Sequence, residues 1–150
     1  MSRKTLYIDM DNVLVDFPSA FPRVEQSQLD TYDGHRDEIP GIFGLMDPVP
    51  GAIDSYLELA SLFDTYILST SPWENPSALA DKLAWVKEHL ADIAYKRLIF
   101  SHHKNLNRGD YLVDDRPNNG ADQFDGEFIL FGSEPFPDWS VVLPYLKSRA

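Results

Sequence analysis

Short apolar runs that each end in a cluster of polar residues recur along this chain. Residues 6–8 lead into two aspartates, residues 65–68 into three hydroxyl side chains, and residues 111–113 into a second pair of aspartates. Helix-like segments separate several of these runs, which predicts parallel β-strands connected by helices. The carboxyl ends of parallel strands meet at one edge of a sheet, where ligands bind. The pattern therefore predicts an α/β fold with its polar clusters gathered at one edge.

Two further apolar runs, at 98–100 and 128–131, bring the expected sheet to about five strands. A segment rich in proline and glycine occupies about residues 17–48, and it is too long for an ordinary connection between a strand and a helix. We interpret it as a small cap inserted after the first strand. With 150 residues in the chain, we expect a single domain spanning 1–150 that carries this one insertion.

Three stretches place apolar residues at helical spacing. One follows Pro50-Gly51, one begins at Asn75-Pro76, where asparagine is the expected N-cap, and one begins at Asp138. The residues assigned to their buried sides are Ile53, Tyr56, Leu57 and Ala60 in the first helix, Leu79, Leu83, Trp85, Val86 and Leu90 in the second, and Val141, Val142, Tyr145 and Leu146 in the third.

The composition excludes several classes of function. A formal net charge of −11 argues against a surface that binds DNA or RNA, although a local metal ion and one lysine suffice to attract a small phosphate ester. The absence of cysteine excludes thiol nucleophiles, disulfides and thiolate zinc sites. No apolar run has the length of a signal peptide or a membrane span, so we expect a cytoplasmic location and no membrane partner.

The polar clusters contain the groups that phosphoryl transfer through an aspartyl phosphate requires. Asp9 is the candidate nucleophile, and Asp11 is the candidate acid that protonates the leaving oxygen and later the base that activates water. We expect Mg²⁺ to bridge Asp9 and the phosphate, with the Asp11 main chain and a carboxylate of Asp114-Asp115 as further ligands.

Thr70, with Ser71 as a helper, and Lys104 are the candidate donors to the phosphoryl oxygens. Each of these signals is weak alone, because an isolated Asp-x-Asp is usually a solvated turn and a single lysine is nearly always solvated. Their occurrence just beyond different expected strands favours a site. At its rim we expect Trp73 and Arg116 to contact the ligand.

The other candidates near this edge have competing interpretations. Phe17, Phe21 and Phe43 either stack on a base or pack the core of the small cap. His102 and His103 lack the spacing of zinc ligands. They either flank the phosphate pocket or have no functional role, and we expect the second.

Residues 9–14, 69–72, Lys104 and 114–117 resemble the four motifs of the haloacid dehalogenase superfamily. More narrowly, these motifs and residues 48–52 are similar to those of the 5'(3')-deoxyribonucleotidases. The resemblance implies a Rossmann-like sheet with strand order 5-4-1-2-3 and a magnesium-dependent phosphatase that acts on nucleoside monophosphates.

The resemblance also implies roles for individual carboxylates. Asp9 corresponds to the nucleophile and Asp11 to the acid and base. Asp115 most resembles the direct metal ligand, while Asp114 would orient that ligand or a bound water.

For the substrate side of the site, the resemblance implies that Thr70, Ser71 and Lys104 hold the phosphate and that Phe17 and Arg116 lie close to the substrate. The predicted cap, about residues 17–48, is shorter than is usual in the family and lacks its tryptophan-bearing stretch. His102 stands where the family tends to have arginine. The chemistry therefore carries over more directly than the substrate.

Several functions remain open from the sequence. The leading substrate is a 5'- or 3'-deoxyribonucleotide, and another small phosphorylated metabolite is the alternative. A non-catalytic phosphate-binding or regulatory protein of the same fold is the rival outside the enzymes. A phosphoaspartate receiver is a third possibility, but its phosphorylated aspartate ends a middle strand, whereas Asp9 follows the first. The expected partner is a small phosphomonoester, and the oligomeric state is open.

Overall fold

A computed structural model describes residues 2–150 of the chain. Its main sheet has five parallel strands, and two shorter strands pair antiparallel outside it. In chain order the strands are β1 (Thr5–Ile8), β2 (Val15–Asp16), β3 (Asp47–Pro48), β4 (Asp64–Ser69), β5 (Leu98–Phe100), β6 (Tyr111–Asp114) and β7 (Glu127–Leu130).

The order of the strands across the main sheet is β5-β4-β1-β6-β7. Counting only these five strands along the chain and reading from the β7 edge, the order is 5-4-1-2-3, which confirms the prediction. β1 lies at the centre, and Leu6 and Ile8 are fully buried. Because the connections run to opposite sides of β1, a crevice opens at its carboxyl end, where an α/β sheet binds ligands.

Helices cover one face of this sheet. The α-helices within residues 2–150 are α1 (Gln26–Thr31), α2 (Ala52–Leu62), α3 (Ser77–His89) and α4 (Trp139–Lys147). Buried residues of α2, α3 and α4 pack in one cluster with Leu6 and Ile8, whereas Tyr7 points to the other face and packs with Leu112 and Phe124. The α4 cap follows the prediction, because Asp138 Oδ1 accepts a hydrogen bond from the Ser140 N–H at 2.9 Å. None of the helices in residues 2–150 is long and apolar enough to cross a bilayer.

The buried side of α3 differs from the prediction. Leu79 and Leu83 are 47% and 43% exposed, while Trp85 is buried as expected and Lys82 is fully buried. The prediction for Leu79 and Leu83 was wrong because it assigned buried positions by apolar character alone. Polar groups beneath the helix bind the ammonium of Lys82, so this side of α3 faces inward. Leu57 of α2 was also predicted to be buried, but it is exposed because the helix presents Tyr56 and Leu59 to the core.

The residues between β2 and β3 form a segment of short helices, which we call the cap segment (residues 17–46). It contains α1 and three 3₁₀ helices, at Phe17–Arg23, Arg36–Glu38 and Ile42–Gly44. The N-cap role predicted for Asn75 is not observed. Its side-chain amide instead donates to the carbonyl oxygens of Asp37 and Ile39, at 2.9 and 3.0 Å, and so fastens the cap segment to the start of α3.

Candidate active site

A tight loop places the first two carboxylates at the end of β1. Three successive backbone N–H groups, those of residues 13–15, donate to the carbonyl oxygen of Met10. Asn12 adopts a left-handed conformation, with φ of 61°, and this turns the chain sharply after Asp11. Asp9 and Asp11 therefore project from a backbone that is fixed by its own hydrogen bonds.

Lys104 is buried between two carboxylates. Its Nζ lies 3.0 Å from Asp9 Oδ1 and 2.6 Å from Asp114 Oδ2, and the side chain is 3% exposed. Its backbone N–H donates to the Asn119 carbonyl at 2.7 Å, which fixes the start of its short helix. Burial lowers the pKa of Lys104, but the charges of Asp9 and Asp114 and their hydrogen bonds outweigh burial and raise it. The ammonium is therefore charged at neutral pH.

Three carboxylates converge beside this lysine. Asp9, Asp114 and Asp115 each present an oxygen, and these oxygens lie within 4.8 Å of one another. Burial, followed by the charge of Asp9, raises the pKa of Asp115 to about 6, and the same causes raise the pKa of Asp114 to about 8 against the opposing effect of Lys104. One ammonium does not balance three carboxylates, and an all-oxygen donor set of this kind fits a hard divalent cation.

We expect Asp115→Asn to stabilise the metal-free protein. Because folding raises the pKa of Asp115, its ionisation destabilises the fold, and the penalty grows as pH rises from 3.8 through about 6. We expect the variant to unfold with a free energy about 1 kcal/mol higher than wild type near neutral pH, a modest gain because the carboxylate is partly exposed. Chemical denaturation in EDTA at several pH values measures this difference.

Asp125→Asn is the matched control, since Asp125 is an exposed carboxylate. Added Mg²⁺ should stabilise the wild type more than Asp115→Asn, because only the wild type keeps all three carboxylates. Equal stability of the two proteins in EDTA at every pH would contradict the repulsion inferred here.

A cavity of about 590 Å³ opens above the carboxylates, and a narrower recess continues from it. The structure brings all of the predicted site residues to these two spaces. Asp9, Lys104 and Asp114 line the recess, Phe17, Ser71 and Asp115 line the cavity, and Asp11, Thr70 and Arg116 line both.

The two predicted hydroxyl donors are in different states. Thr70 Oγ1 donates to the carbonyl oxygen of Ser101 at 2.7 Å, whereas Ser71 Oγ is buried and has no hydrogen-bond partner within residues 2–150. A buried hydroxyl without a partner is costly, and a ligand oxygen would relieve that cost. Ser71 was predicted to assist Thr70 in binding phosphate. In the structure, however, Ser71 has the hydroxyl that is free to donate, whereas the hydroxyl of Thr70 already donates to Ser101.

Aromatic side chains form the walls of the cavity. Phe17 and Phe21 line it from the cap segment and meet edge to face, with ring centroids 5.7 Å apart. Phe43 is buried, so it packs the core of the cap segment. On the other wall, Trp73 is 83% exposed and meets His102 edge to face at 5.7 Å.

Lys82 is a residue of the site that was not predicted from the sequence. Its Nζ lies 3.4 Å from Asp11 Oδ2 and is fully buried. A signal for it was present, because Ala78, Lys82, Trp85 and Val86 share one face of α3, and a helix oriented by Trp85 places Lys82 inward. Polar residues of the cap segment that line the cavity were also missed, and these are Asp33, Arg36 and Asp37.

Comparisons with known proteins show which family the chain resembles. Residues 20–135 match the family described as 5' nucleotidase, deoxy (pyrimidine), cytosolic type C protein. The chain is 54% identical over 144 residues to a proposed 5'(3')-deoxyribonucleotidase of Vibrio phage KVP40, an alignment that covers 96% of this chain and 85% of that protein. It is 32% identical over 108 residues to the human 5'(3')-deoxyribonucleotidase, cytosolic type, which covers 71% of this chain and 48% of the human protein.

Among solved structures, a haloacid dehalogenase-like hydrolase from Streptococcus pneumoniae superposes with a TM-score of 0.54. The superposition covers 95% of this chain and 90% of that chain at 13% identity, and at such low identity it supports the fold alone. The family is assigned from the matches in sequence, which are more specific than the likeness in fold. The chain belongs to the 5' nucleotidase, deoxy (pyrimidine), cytosolic type C family.

Proposed function

We propose that this nucleotidase hydrolyses the phosphomonoester of deoxyribonucleoside monophosphates, with Mg²⁺ as cofactor and through a phosphorylated Asp9. The family and the names of the relatives support the class of reaction and of substrate. The observation that carries the proposed mechanism is the buried contact of Lys104 with Asp9 and Asp114, beside Asp115, at the base of a cavity.

The first half of the reaction transfers the phosphoryl group to the protein. A carboxylate oxygen of Asp9 attacks phosphorus while the bond from phosphorus to the leaving alkoxide breaks, and Asp11 gives its proton to that alkoxide. Burial raises the pKa of Asp11 and outweighs the lowering effect of Lys82, which favours the protonated acid that this step requires. Lys104 holds Asp9 and supplies positive charge beside the phosphate.

The second half releases inorganic phosphate. The carboxylate of Asp11 accepts a proton from a water molecule as the water oxygen attacks phosphorus, and the bond from phosphorus to Asp9 breaks. Ser71 and Lys104 are the proposed donors to the phosphoryl oxygens. A magnesium ion held by Asp9, Asp114, Asp115 and the Asp11 main chain would offset the negative charge of nucleophile and substrate.

The cavity supports a nucleotide as substrate. Its volume of about 590 Å³ falls within the range of small-molecule sites. The rings of Phe17 and Trp73 line it, and aromatic rings of this kind stack on nucleobases. We propose that residues 17–48 act as the cap. Strands β2 and β3 pair with each other at the two ends of this segment, and aromatic side chains of the segment line the cavity. A cytoplasmic location remains a prediction, and the description of the human relative as cytosolic supports it.

Release of inorganic phosphate tests the proposal. The panel contains deoxyribonucleoside and ribonucleoside monophosphates, sugar phosphates and p-nitrophenyl phosphate, each with Mg²⁺ and with EDTA. We expect magnesium-dependent release that is fastest with deoxyribonucleotides. Release only from other esters would replace the substrate and keep the mechanism, whereas no release from any ester would favour a phosphate-binding protein of the same fold.

We expect Trp73→Ala to weaken nucleotide binding. Loss of stacking on a base typically costs about 1 to 3 kcal/mol. We expect a cost near the lower limit for the exposed Trp73, which corresponds to a rise in KM of about fivefold to tenfold with little change in kcat. KM for deoxyribose 5-phosphate, which has no base, should not change. Tyr95→Ala, which removes another exposed aromatic ring, is the control, and an equal effect of Trp73→Ala on both substrates would contradict base stacking.

A further inference from the structure

We propose that Lys82 is a positioning residue that holds the Asp11 carboxylate in the orientation it needs for both of its proton transfers. This inference rests on the proposed function, in which Asp11 is the acid and base. It concerns a residue outside the four motifs, on the helix α3.

The ammonium of Lys82 is fixed by three oxygen atoms. Its Nζ lies 2.8 Å from Ser69 Oγ, 2.9 Å from the Thr70 carbonyl oxygen and 3.4 Å from Asp11 Oδ2, and the side chain is fully buried. A lysine ammonium has three N–H donors, so these contacts account for all of them. The position of the positive charge is therefore set by the end of β4 and by the loop after it.

The orientation of Asp11 depends on this ammonium. Within residues 2–150, Lys82 is the only side-chain or backbone donor to the Asp11 carboxylate, whose Oδ1 is buried without a hydrogen-bond partner. Asp11 lines the cavity and also the recess that holds Asp9, so its carboxylate lies where a phosphate bound at Asp9 would meet it. Without Lys82, no hydrogen bond from the rest of the described chain would restrain that side chain.

The geometry separates this role from two others. Lys82 does not line the cavity or the recess, and a contact with phosphate would require it to give up a present partner. Filling the core does not require an ammonium, because an apolar side chain would occupy the same space without the cost of burying a charge. On its remaining side it meets the ring of Phe43, whose centroid is 4.5 Å from Nζ, so the cap segment closes over it.

If Lys82 positions Asp11, its loss should affect both halves of the reaction, because Asp11 acts in both. With p-nitrophenyl phosphate the leaving group needs little protonation, so a misplaced Asp11 impairs mainly the attack of water on phosphorylated Asp9. With a deoxyribonucleoside monophosphate, whose leaving alkoxide needs a proton, formation of phosphorylated Asp9 is impaired as well.

Rapid-mixing kinetics of Lys82→Met test this in the presence of Mg²⁺. We expect a burst of p-nitrophenolate that approaches one equivalent per active site, followed by turnover slowed about 10- to 100-fold. KM for p-nitrophenyl phosphate should fall together with kcat, because hydrolysis of phosphorylated Asp9 becomes rate-limiting. Turnover of the deoxyribonucleotide should fall at least as far and show no burst. Lys82→Arg, which keeps the charge and several donors, should recover part of the loss, and Lys87→Met, at an exposed position of α3, should behave as wild type.

Unchanged turnover of Lys82→Met would overturn the inference. An equal loss of turnover with both substrates, without a burst and without recovery in Lys82→Arg, would also overturn it. If Lys82→Met does not fold, the same kinetics are measured on Ser69→Ala, which removes one of the oxygen atoms that fix Nζ. We expect a smaller burst of p-nitrophenolate and a smaller loss of turnover than in Lys82→Met, and unchanged kinetics would overturn the inference. Failure of the wild type to release phosphate from any ester would overturn the proposed function instead, so the two failures are distinguishable.

Discussion

Asp9→Asn should abolish phosphate release from every substrate, by a factor of at least about 10⁴, while the protein remains folded. Asparagine has nearly the shape of aspartate, but its amide does not attack phosphorus. It also removes one of the three converging carboxylates, so the loss of its ion pair with Lys104 is offset by relief of repulsion. Phosphate release by the purified variant and its thermal unfolding measure the two halves of this expectation.

Asp47→Asn is the matched control for this substitution. Asp47 is an exposed carboxylate that pairs with Arg23 at 3.0 Å, and its loss should leave turnover unchanged. Turnover of Asp9→Asn near the wild-type rate would contradict the covalent mechanism, and inactivity together with unfolding would assign the defect to stability. A phosphorylated Asp9 that persisted for minutes in the wild type would instead favour a receiver-like protein.

The strands could be predicted from the sequence because local and global signals agree, whereas their order was predicted from the resemblance to a known family. Each apolar run is short and is followed by polar residues, so its type could be recognised without tertiary information. The carboxyl ends of parallel strands share one edge, and this alone places Asp9, Thr70 and Asp114 near one another. The candidate site was therefore predictable to the extent that it lies at strand ends.

The remaining features depend on which face a helix turns inward. In α3 an apolar stripe through Leu79 and Leu83 and a mixed stripe through Lys82 and Trp85 are nearly equivalent by sequence. Packing selects the second stripe, because polar groups at the end of β4 satisfy a buried ammonium and the Trp85 indole donates to the Met46 carbonyl at 2.9 Å. Those partners lie far away in the chain, so residue spacing does not show them.

The role of Asn75 was hidden for a related reason. Asn-Pro before an apolar run is typical of a helix start, and α3 does begin at Ser77. The asparagine amide nevertheless serves the cap segment, whose carbonyl oxygens at Asp37 and Ile39 would otherwise lack this partner. A local capping rule does not include such a distant acceptor, and the cap segment itself has too little regular structure for its path to be predicted.

Lys104→Met should have the largest effect on stability among the site variants. It removes the positive charge that contacts Asp9 and Asp114, and breaking a buried ion pair in this way typically costs about 3 to 5 kcal/mol. We expect a loss of this size near neutral pH in EDTA, together with loss of phosphatase activity. Chemical denaturation followed by fluorescence measures the free energy of unfolding.

The pH and metal dependence of this loss identify its cause. The folded-state pKa of Lys104 is raised, so its ammonium stabilises the wild type at every pH below its unfolded value of 10.5. Lys104 lowers the pKa of Asp114, so that pKa rises further in the variant. Protonation of Asp114 and Asp115 relieves the repulsion in the variant, so the destabilisation should shrink as pH falls. Mg²⁺ should restore part of the stability at neutral pH, because a cation then replaces the missing charge.

Lys147→Met provides the comparison that makes this interpretation specific. Lys147 pairs with Glu58 at 2.9 Å, but both side chains are half exposed, and such a pair contributes at most about 1 kcal/mol. The same substitution therefore separates the loss of a buried charge from the loss of a surface ion pair. If Lys104→Met were no less stable than Lys147→Met, or if its loss were the same at acidic and neutral pH, Lys104 would not be the charge that balances the three carboxylates.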